Sequence, residues 1–420
     1  MPETNNYLSF FLIENMKKMI KKENIKYVLR NLKRRKTRTF LTSLSILIGV
    51  ATIFIFISFG AGLYEYINEL TSGSSVNKII IQPKGFGTVG LFDKKIQLTE
   101  KDVKITENIP GVKRVSPLYF GVAEVSQEKE RIYSFILGYD AEKPLIFEVS
   151  NIGLEKGRFL QKGEKNKVLL GYNYMVENKI FPKKYDINQK IKINNEEMQI
   201  VGFIREIGNP QDDAQIYITK EYFEEVYPET TSYSWIIAEG DIKEIDSIVE
   251  KIENRLRNEK NQKKGEETFF VQTFDDLIKT YLSVLNIIIG FVILIALVSV
   301  IVSAINTSNT MITSVLERYK EIGVMKATGA KNTEILSIFV FESSLIGFIA
   351  GICGVLLGAF LSFLGEKILT NLGWSFLKPF FSLWLFVGCI LFATLTGAIS
   401  GALPAIRASR INVVNALKYE

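Results

Sequence analysis

The chain has 420 residues, 47% of them apolar and 23% charged, a formal net charge of +6, two cysteines and no histidine. The missing histidine excludes Ser-His-Asp and Cys-His catalysis, His-ligated zinc and histidine pH switching. A positive mean hydropathy of +0.15 beside so many charges means that apolar and polar residues are segregated along the chain, and this length usually makes two or more domains.

Taken from the start, the run "YLSFFLI" has no basic residue before it and does not read as a signal. Glu14 to Arg38 favours helix, with Met16, Met19, Ile20, Tyr27, Val28 and Leu32 loosely on one side and Lys/Arg elsewhere. It reads as a basic amphipathic segment, residues 1–39, lying on a membrane surface, or as a topogenic flank with no defined pose. Phe40 to Tyr64 is nearly free of charge, as are Ser283 to Asn306, Ile338 to Leu364 and Phe381 to Pro404. Each is long enough to cross a hydrocarbon core, which takes about 20 apolar residues. The first is too long, and lacks the small-residue cleavage site, to be a removed leader. Four transmembrane helices are therefore expected at 40–65, 281–310, 337–364 and 381–404. They leave a domain at 66–280, a loop at 311–336, a short loop at 365–380 and a tail at 405–420.

Eleven Lys and Arg fall between Lys17 and Arg38, four in the 311–336 loop and three in the tail, against Lys367 and Lys378 alone in the 365–380 loop. By the positive-inside rule both termini and the 311–336 loop are expected in the cytoplasm of a cell-membrane protein, with the large domain outside. That domain is close to neutral, so the basic excess sits beside the membrane; this favours anionic lipid and argues against nucleic acid. Both cysteines, Cys353 and Cys389, lie in predicted spans, so the outer domain must hold itself by its core.

Within that domain "NKIIIQP" and "SWIIAEG" read as buried strands. Each is followed by an amphipathic helix, "TEKDVKITENI" and "IKEIDSIVEKIENRLR", and then by a further strand, "VKRVSPLYF" and "TFFVQTF". In the second helix Ile245, Ile248, Val249, Ile252 and Leu256 form one stripe. Two such units at the domain's ends predict a split βαβ subdomain whose halves pair. Between them "RIYSFILGYD", "NKVLLGYNY", "QKIKINNEEMQIVGFI" and "AQIYITKEYF" are strand-like, with a hairpin turning at Asn194–Asn195. The fold class expected is an α-helical membrane protein with four transmembrane helices plus an α+β extracytoplasmic domain, a split βαβ subdomain with a β-rich insert.

No G-x-x-x-x-G-K-[ST] loop is present; "ATGAKN" has the wrong spacing, so this chain alone is not expected to hydrolyse nucleotide. The paired carboxylates Asp212–Asp213 and Glu224–Glu225 read as solvated loop or helix charges rather than catalysts, and no metal-ligand cluster is evident. In the third span Gly347, Gly351, Gly354 and Gly358 share a helix face and permit close backbone approach, either as a sliding seam or as static packing; Gly397 and Gly401 suggest a similar contact in the fourth. Glu342 is costly at its depth. It reads as a helix-start residue near the headgroups or as a partner for a nearby base. Asn286, Asn306 and Asn309 could hydrogen-bond between helices.

The stretch "LERYKEIGVMKATGAKNTEI", Leu316 to Ile335, mixes both charge signs with apolar residues. It can continue the second span as a helix from Tyr281 to about Met325, giving a rod of roughly 65 Å. Glu317 and Glu321 would share a face, Lys320 could pair with Glu317, and Ile322, Val324 and Met325 would face the cytosol. Gly323, Ala327, Gly329 and Ala330 remove bulk, Gly329 permits a sharp turn, and Asn332 or Thr333 could cap the returning helix. The stretch is either a knob for another protein's groove or a tidy re-entry turn.

The pattern Glu317, Arg318, Glu321, Ile322, Gly323, Lys326, Ala327, Gly329 and Ala330 resembles the signature of FtsX-like (MacB-type) ABC transporter permeases. "NLKRRKTRTFLTSLSILIGVA" resembles that family's entry to the first span at Arg38, Leu41, Thr42, Gly49 and Val50, with Ser45 where glycine is common. "GALPAIRASRINVVNALKYE" resembles its ending at Pro404, Ala405, Arg407, Ala408, Ala416 and Leu417, with Asn415 for an acidic residue. The resemblance implies a non-catalytic permease subunit, its 281–420 part the FtsX-like permease domain, paired as a homodimer or with a related chain. It implies a separate ABC ATPase that binds ATP and Mg, and a coupling helix containing Glu317 to Ala330, Met325 included. ATP-driven closure would pass through the spans to the outer domain, mechanotransmission serving export or extraction of a peptide, antibiotic or lipoprotein client. An ATPase-independent sensor or receptor, a regulator of cell-envelope enzymes and an envelope hydrolase are the rival readings.

Overall fold

A computed structural model describes residues 36–71, 77–84, 97–230 and 232–418. The basic segment Glu14 to Arg38 lies almost wholly outside them. The described chain forms two compact units: one holds residues 63–284 with 367–378, the other residues 36–62, 285–366 and 379–418.

The first unit is the α+β domain. Strand β1 (Lys78–Pro83), helix α2 (Glu100–Glu107) and strand β2 (Val112–Gln127) make one unit. Strand β9 (Trp235–Gly240), helix α5 (Ile245–Glu259) and strand β10 (Phe269–Thr273) make the other. The halves interleave in the order β10-β1-β9-β2, every pair antiparallel, which is the split βαβ arrangement. Helix α2 starts where Thr99 and Asp102 form a capping box. Helix α5 buries Ile248, Ile252 and Leu256, each 0% exposed, at the spacing the stripe required.

The insert supplies β3 (Glu130–Tyr139), α3 (Leu145–Val149), β4 (Leu154–Gly157), β5 (Lys167–Leu170), β6 (Lys190–Ile193), β7 (Glu196–Ile204), β8 (Ile216–Thr219) and α4 (Lys220–Val226). Its strands extend the same sheet beyond β2 in the order β3-β8-β5-β7-β4, while β6 pairs with both β2 and β7. One 16-residue strand joins the parts: β2 meets β9 along Val112–Leu118 and β3 along Leu118–Gln127. The β6–β7 turn holds Asn194 and Asn195 at φ 46° and 72°, the two left-handed positions of a type I′ hairpin. "AQIYITKEYF" is only half strand. The Thr219 hydroxyl accepts the Tyr222 amide at 3.3 Å, an N-cap that converts the rest to helix.

A charge cluster around the buried Lys78 fastens α3 to the sheet. Lys78, 1% exposed, lies 3.1 Å from Glu148 and 3.5 Å from Glu239, and Arg114 grips Glu148 with two bonds of 2.8 and 2.7 Å. Residues 373–376 also belong to this unit. The Ser375 hydroxyl donates to Glu206 at 2.7 Å, the Phe376 amide reaches the Gly208 carbonyl at 3.4 Å, and the Phe376 ring lies 5.0 Å from Tyr66. The receiving loop is held from beneath by Asp213, which accepts the amides of Ile207 and Gly208 at 2.7 and 2.8 Å.

Burial, opposed by those two amides and aided by Glu206 and Asp212, pushes the Asp213 carboxyl up from 3.8 to about 6. A carboxyl raised by folding contributes stability that is complete below its unfolded pKa and lost as pH rises through the folded one. The intact chain is therefore expected to lose ~1 kcal/mol through this group between pH 5 and pH 7. Chemical unfolding at the two pH values checks this; a slope that persists unchanged in Asp213→Asn assigns it elsewhere.

The second unit holds all of α9 (Leu383–Ser409) and most of α1 (Lys36–Thr71), α6 (Phe274–Glu317) and α8 (Asn332–Asn371), four helices long and apolar enough to span a membrane. Helix α8 is the hub, with 39% of its most apolar window buried, against 11% for α6. On α6, residues such as Phe291, Leu294 and Ile301 remain exposed, as suits lipid. Polar contacts join α1 to α6: Thr42 to Thr310 at 2.9 Å and the Asn306 amide to the Ser45 hydroxyl at 3.3 Å. Of the three asparagines singled out, Asn306 thus bridges helices. Helix α9 does not stop at Pro404 but continues to Ser409. The carbonyl that loses its proline partner is tolerated in a span where neighbours pack closely.

The glycine stripe of α8 serves two partners. A side chain at Gly347 would stand 2.4 Å from the Ala393 carbonyl, and one at Gly351 2.8 Å from the Ala393 methyl, both on α9. Carbons added at Gly354 and Gly358 would meet the carbonyls of Leu47 and Ala51 on α1, at 2.8 and 3.1 Å. From the other side Gly397 faces the Ser343 carbonyl and Gly401 the Ser343 hydroxyl. The backbones of three helices meet along this stripe.

Candidate functional site

The stretch from Leu316 to Ile335 is broken in two places. Helix α6 ends at Glu317, and Arg318, at φ −107° and ψ 18°, begins the nine-residue helix α7 (Tyr319–Ala327). The expected rod to Met325 is thus corrected. The continuous piece runs from Phe274 to Glu317, 44 residues or about 66 Å at 1.5 Å each. Glu317 and Glu321 sit on either side of the break, on different helices, and both are exposed.

The break places Arg318 where it is needed. Its guanidinium donates twice to Glu342, at 3.0 and 3.3 Å, and lies over the Phe339 ring at 5.9 Å. Both side chains are 6% exposed. Glu342 is therefore the partner of a nearby base, not a helix-start residue: α8 begins ten residues earlier, at Asn332. A bidentate pair of this kind satisfies both charges together and fixes orientation.

At its other end α7 closes with Gly329 at φ 101°. The Ala330 amide reaches the Met325 carbonyl at 3.0 Å and the Gly329 amide reaches that of Lys326 at 3.1 Å, a full Schellman motif that wants glycine at this position. The cap of α8 differs from expectation. Neither Asn332 nor Thr333 supplies it; the Glu334 carboxylate accepts the Lys331 amide at 3.0 Å, the half of a capping box that the third helical residue contributes.

Between these ends α7 has two unlike sides. Ile322 is 0% exposed, in a cluster with Val315, Phe339, Ala405 and Ala408 against which Met325 also packs. Gly323 is buried, and Lys326 donates to the carbonyls of Ser409 and Ile411, both at 2.9 Å. Of the three apolar residues expected to face the cytosol only Val324, 52% exposed, points away from the protein. Ile322 and Met325, three apart, turn to the opposite side and pack on α8 and α9. Glu317, Glu321, Ala327 and Gly329 are exposed, and Ala330 is half-buried. The named residues are thus an inner set that fastens α7 (Arg318, Ile322, Gly323, Met325, Lys326) and an outer set left exposed, Glu321 and Ala327 on α7 itself, Glu317 at the end of α6 and Gly329 in the turn that follows α7.

The acidic pairs of the α+β domain do other work. Asp213 is buried rather than solvated, and Asp212 accepts from Asn209 at 3.0 Å and Gln215 at 2.8 Å, so this pair staples a loop. Glu224 accepts from the Tyr119 hydroxyl at 2.9 Å and Glu225 pairs with Lys165 at 2.6 Å. What reading along the chain missed is the set of receiving groups: the carbonyls of Ser409 and Ile411, and Ala416 beside Gly323. None carries a distinctive side-chain signal.

Comparison with known proteins covers both units. Residues 39–255 match the family described as MacB-like periplasmic core domain, and residues 293–413 match the FtsX-like permease C-terminal family. Over 398 residues the chain is 33% identical to an uncharacterized ABC transporter permease of Methanocaldococcus jannaschii, covering 94% of this chain and 98% of that one. Over 412 residues it is 28% identical to the macrolide export ATP-binding/permease protein MacB of Bdellovibrio bacteriovorus, covering 95% of this chain and 62% of that protein. The chain thus spans less than two thirds of that relative. Among solved structures it is similar to the periplasmic region of MacB from Actinobacillus actinomycetemcomitans, at 16% identity and a TM-score of 0.41, over 51% of this chain and 97% of that one.

Proposed function

This chain belongs to the ABC transporter permeases of the MacB and FtsX type, and from that premise we propose that it is a non-catalytic subunit carrying the work of a separate ATPase across the membrane to its α+β domain. The ATP and Mg belong to that partner. In this reading α7 is the coupling helix, seated in a groove of the ATPase. Both termini and α7 are cytoplasmic and the α+β domain lies outside. Two permease chains, identical or related, act together on a peptide, antibiotic or lipoprotein client, as the macrolide export named for one relative suggests by class.

One observation carries the proposal. A short helix is fastened on its inner side by a buried ion pair and a lysine cap, yet it presents Glu321, Val324 and Ala327 outward. A mere re-entry turn needs no such anchoring. The anchoring lets a push on the outer side move the bundle rather than bend the loop, and the 44-residue α6 is the stiff member leading away from it.

Glu321→Lys, which inverts an outward charge, and Gly329→Trp, which cannot adopt the turn without strain, are expected to lower permease-dependent ATP turnover of the reconstituted complex by at least ~tenfold, with membrane insertion unchanged. Turnover and client movement that stay coupled as in the parent would remove α7 from this role. In the same membranes, cysteines placed at Asn195 and Lys331 should be labelled from outside and inside respectively; the reverse pattern overturns the orientation.

A further inference from the structure

We propose that the helix after α9, α10 (Val413–Lys418), is a brace that holds α7 in its docking pose, with Gly323, Lys326 and Ala416 as positioning residues. The proposal rests on the reading of α7 as the ATPase-facing helix and adds a second element to that site.

The need for a brace comes from length. A nine-residue helix is marginal in water on its own, because nucleation costs more than so few bonds return. It is also cut off at both ends, by the break at Arg318 and the left-handed turn at Gly329. The inner cluster with Phe339 and Ala408 supports α7 along one line only.

The second line comes from the chain beyond Ser409. Asn412 accepts the Val414 amide through its own side chain at 3.0 Å, an N-cap that starts α10 immediately after α9 ends. The Lys326 ammonium donates to the Ser409 and Ile411 carbonyls at 2.9 Å each, and a cation is favourable at a helix C-terminus. One lysine of α7 thus fixes the turn that aims α10. Helix α10 then returns to α7 at a second point. Ala416 is 0% exposed, and a methyl added at Gly323 would stand 2.7 Å from its Cβ, closer than carbon atoms pack. The two contacts lie one helical turn apart on α7, so together they fix its roll as well as its position. Roll matters because a rotation would turn Glu321 and Val324 away from any groove.

Complementary substitutions test this in the full chain with Cys353 and Cys389 replaced by serine: label mobility is read with a spin label on Val324→Cys, and ATPase binding is measured on the same variants with Val324 intact. Gly323→Ala alone is expected to push α10 off, raise label mobility and weaken binding of the ATPase subunit recovered from the same membranes by ~tenfold. Adding Ala416→Gly returns the space and should restore both readings, which general misfolding would not allow. Lys326→Met should act like Gly323→Ala, and Lys326→Arg should retain most of the parent behaviour. Unchanged mobility in both Gly323→Ala and Lys326→Met overturns the brace. A loosened α7 that still binds the ATPase as tightly as the parent overturns the docking reading beneath it, and the proposal with it.

Discussion

Replacing Glu342 by alanine is expected to destabilise the chain by roughly 3–5 kcal/mol, the usual cost of removing one partner from a buried ion pair. The variant would take from the Arg318 guanidinium, 6% exposed and seated over Phe339, the carboxylate that accepts two of its hydrogen bonds. Arg318→Ala should cost a similar amount for the mirror-image reason. The double replacement Arg318→Met with Glu342→Leu removes both charges and keeps much of the volume, so it should cost clearly less than either single change. Thermal unfolding of the intact chain in detergent, followed by tryptophan fluorescence, orders the four proteins. Single variants within about 1 kcal/mol of the parent would show that the pair is solvated and does not hold α6, α7 and α8 together.

Gly347→Leu is expected to disrupt the helix bundle by at least ~3 kcal/mol, at or above the upper end for overpacking. The first added carbon would stand 2.4 Å from the Ala393 carbonyl oxygen, with the Gly397 backbone at 3.3 Å. Those neighbours are main chain and have no rotamer to change. Relief requires α8 and α9 to separate, which also disturbs Gly397 against Ser343 and Gly351 against Ala393. Gly290→Leu on α6 and Gly388→Leu on α9 are the controls, since nothing lies within 4 Å of either added carbon. They should change stability little, because the new side chain meets lipid. If Gly347→Leu proves as mild as these controls, the three-helix seam is not close-packed.

Much of the α+β domain is legible in its residues because its signals are local. Asn194–Asn195 favours left-handed backbone and so sets a two-residue hairpin. The Ile248, Ile252, Leu256 stripe marks the buried side of α5 before any partner is known. Where reading along the chain falls short, a short polar side chain decides, as when Thr219 caps a helix inside a run of strand-forming residues. The insert's place in one continuous sheet is not local either. It depends on β2 having two edges and enough length to use both.

The candidate site divides in the same way. Gly329 could be read as a turn because only glycine sits easily at φ 101°, and its role needs no knowledge of neighbours. Arg318 and Ile322 could be recognised as part of a motif but not as inward-facing, because a one-residue break in the helix rotates everything after it.

From the residues alone come the four spans, the turns at Asn194–Asn195 and Gly329, the absence of a phosphate-binding loop and the family. Each depends on side chains a few positions apart or on sums over a window. Only the tertiary structure decided that Glu342 pairs with Arg318, that the α8 glycines divide between α1 and α9, and that Lys326 and Gly323 meet the segment after α9. These contacts join groups 24 to more than 300 positions apart, many of them backbone atoms that every residue carries. Their energy comes from close van der Waals fit and from pairing polar groups away from water, which depend on how helices approach one another and not on the order of residues along any one of them.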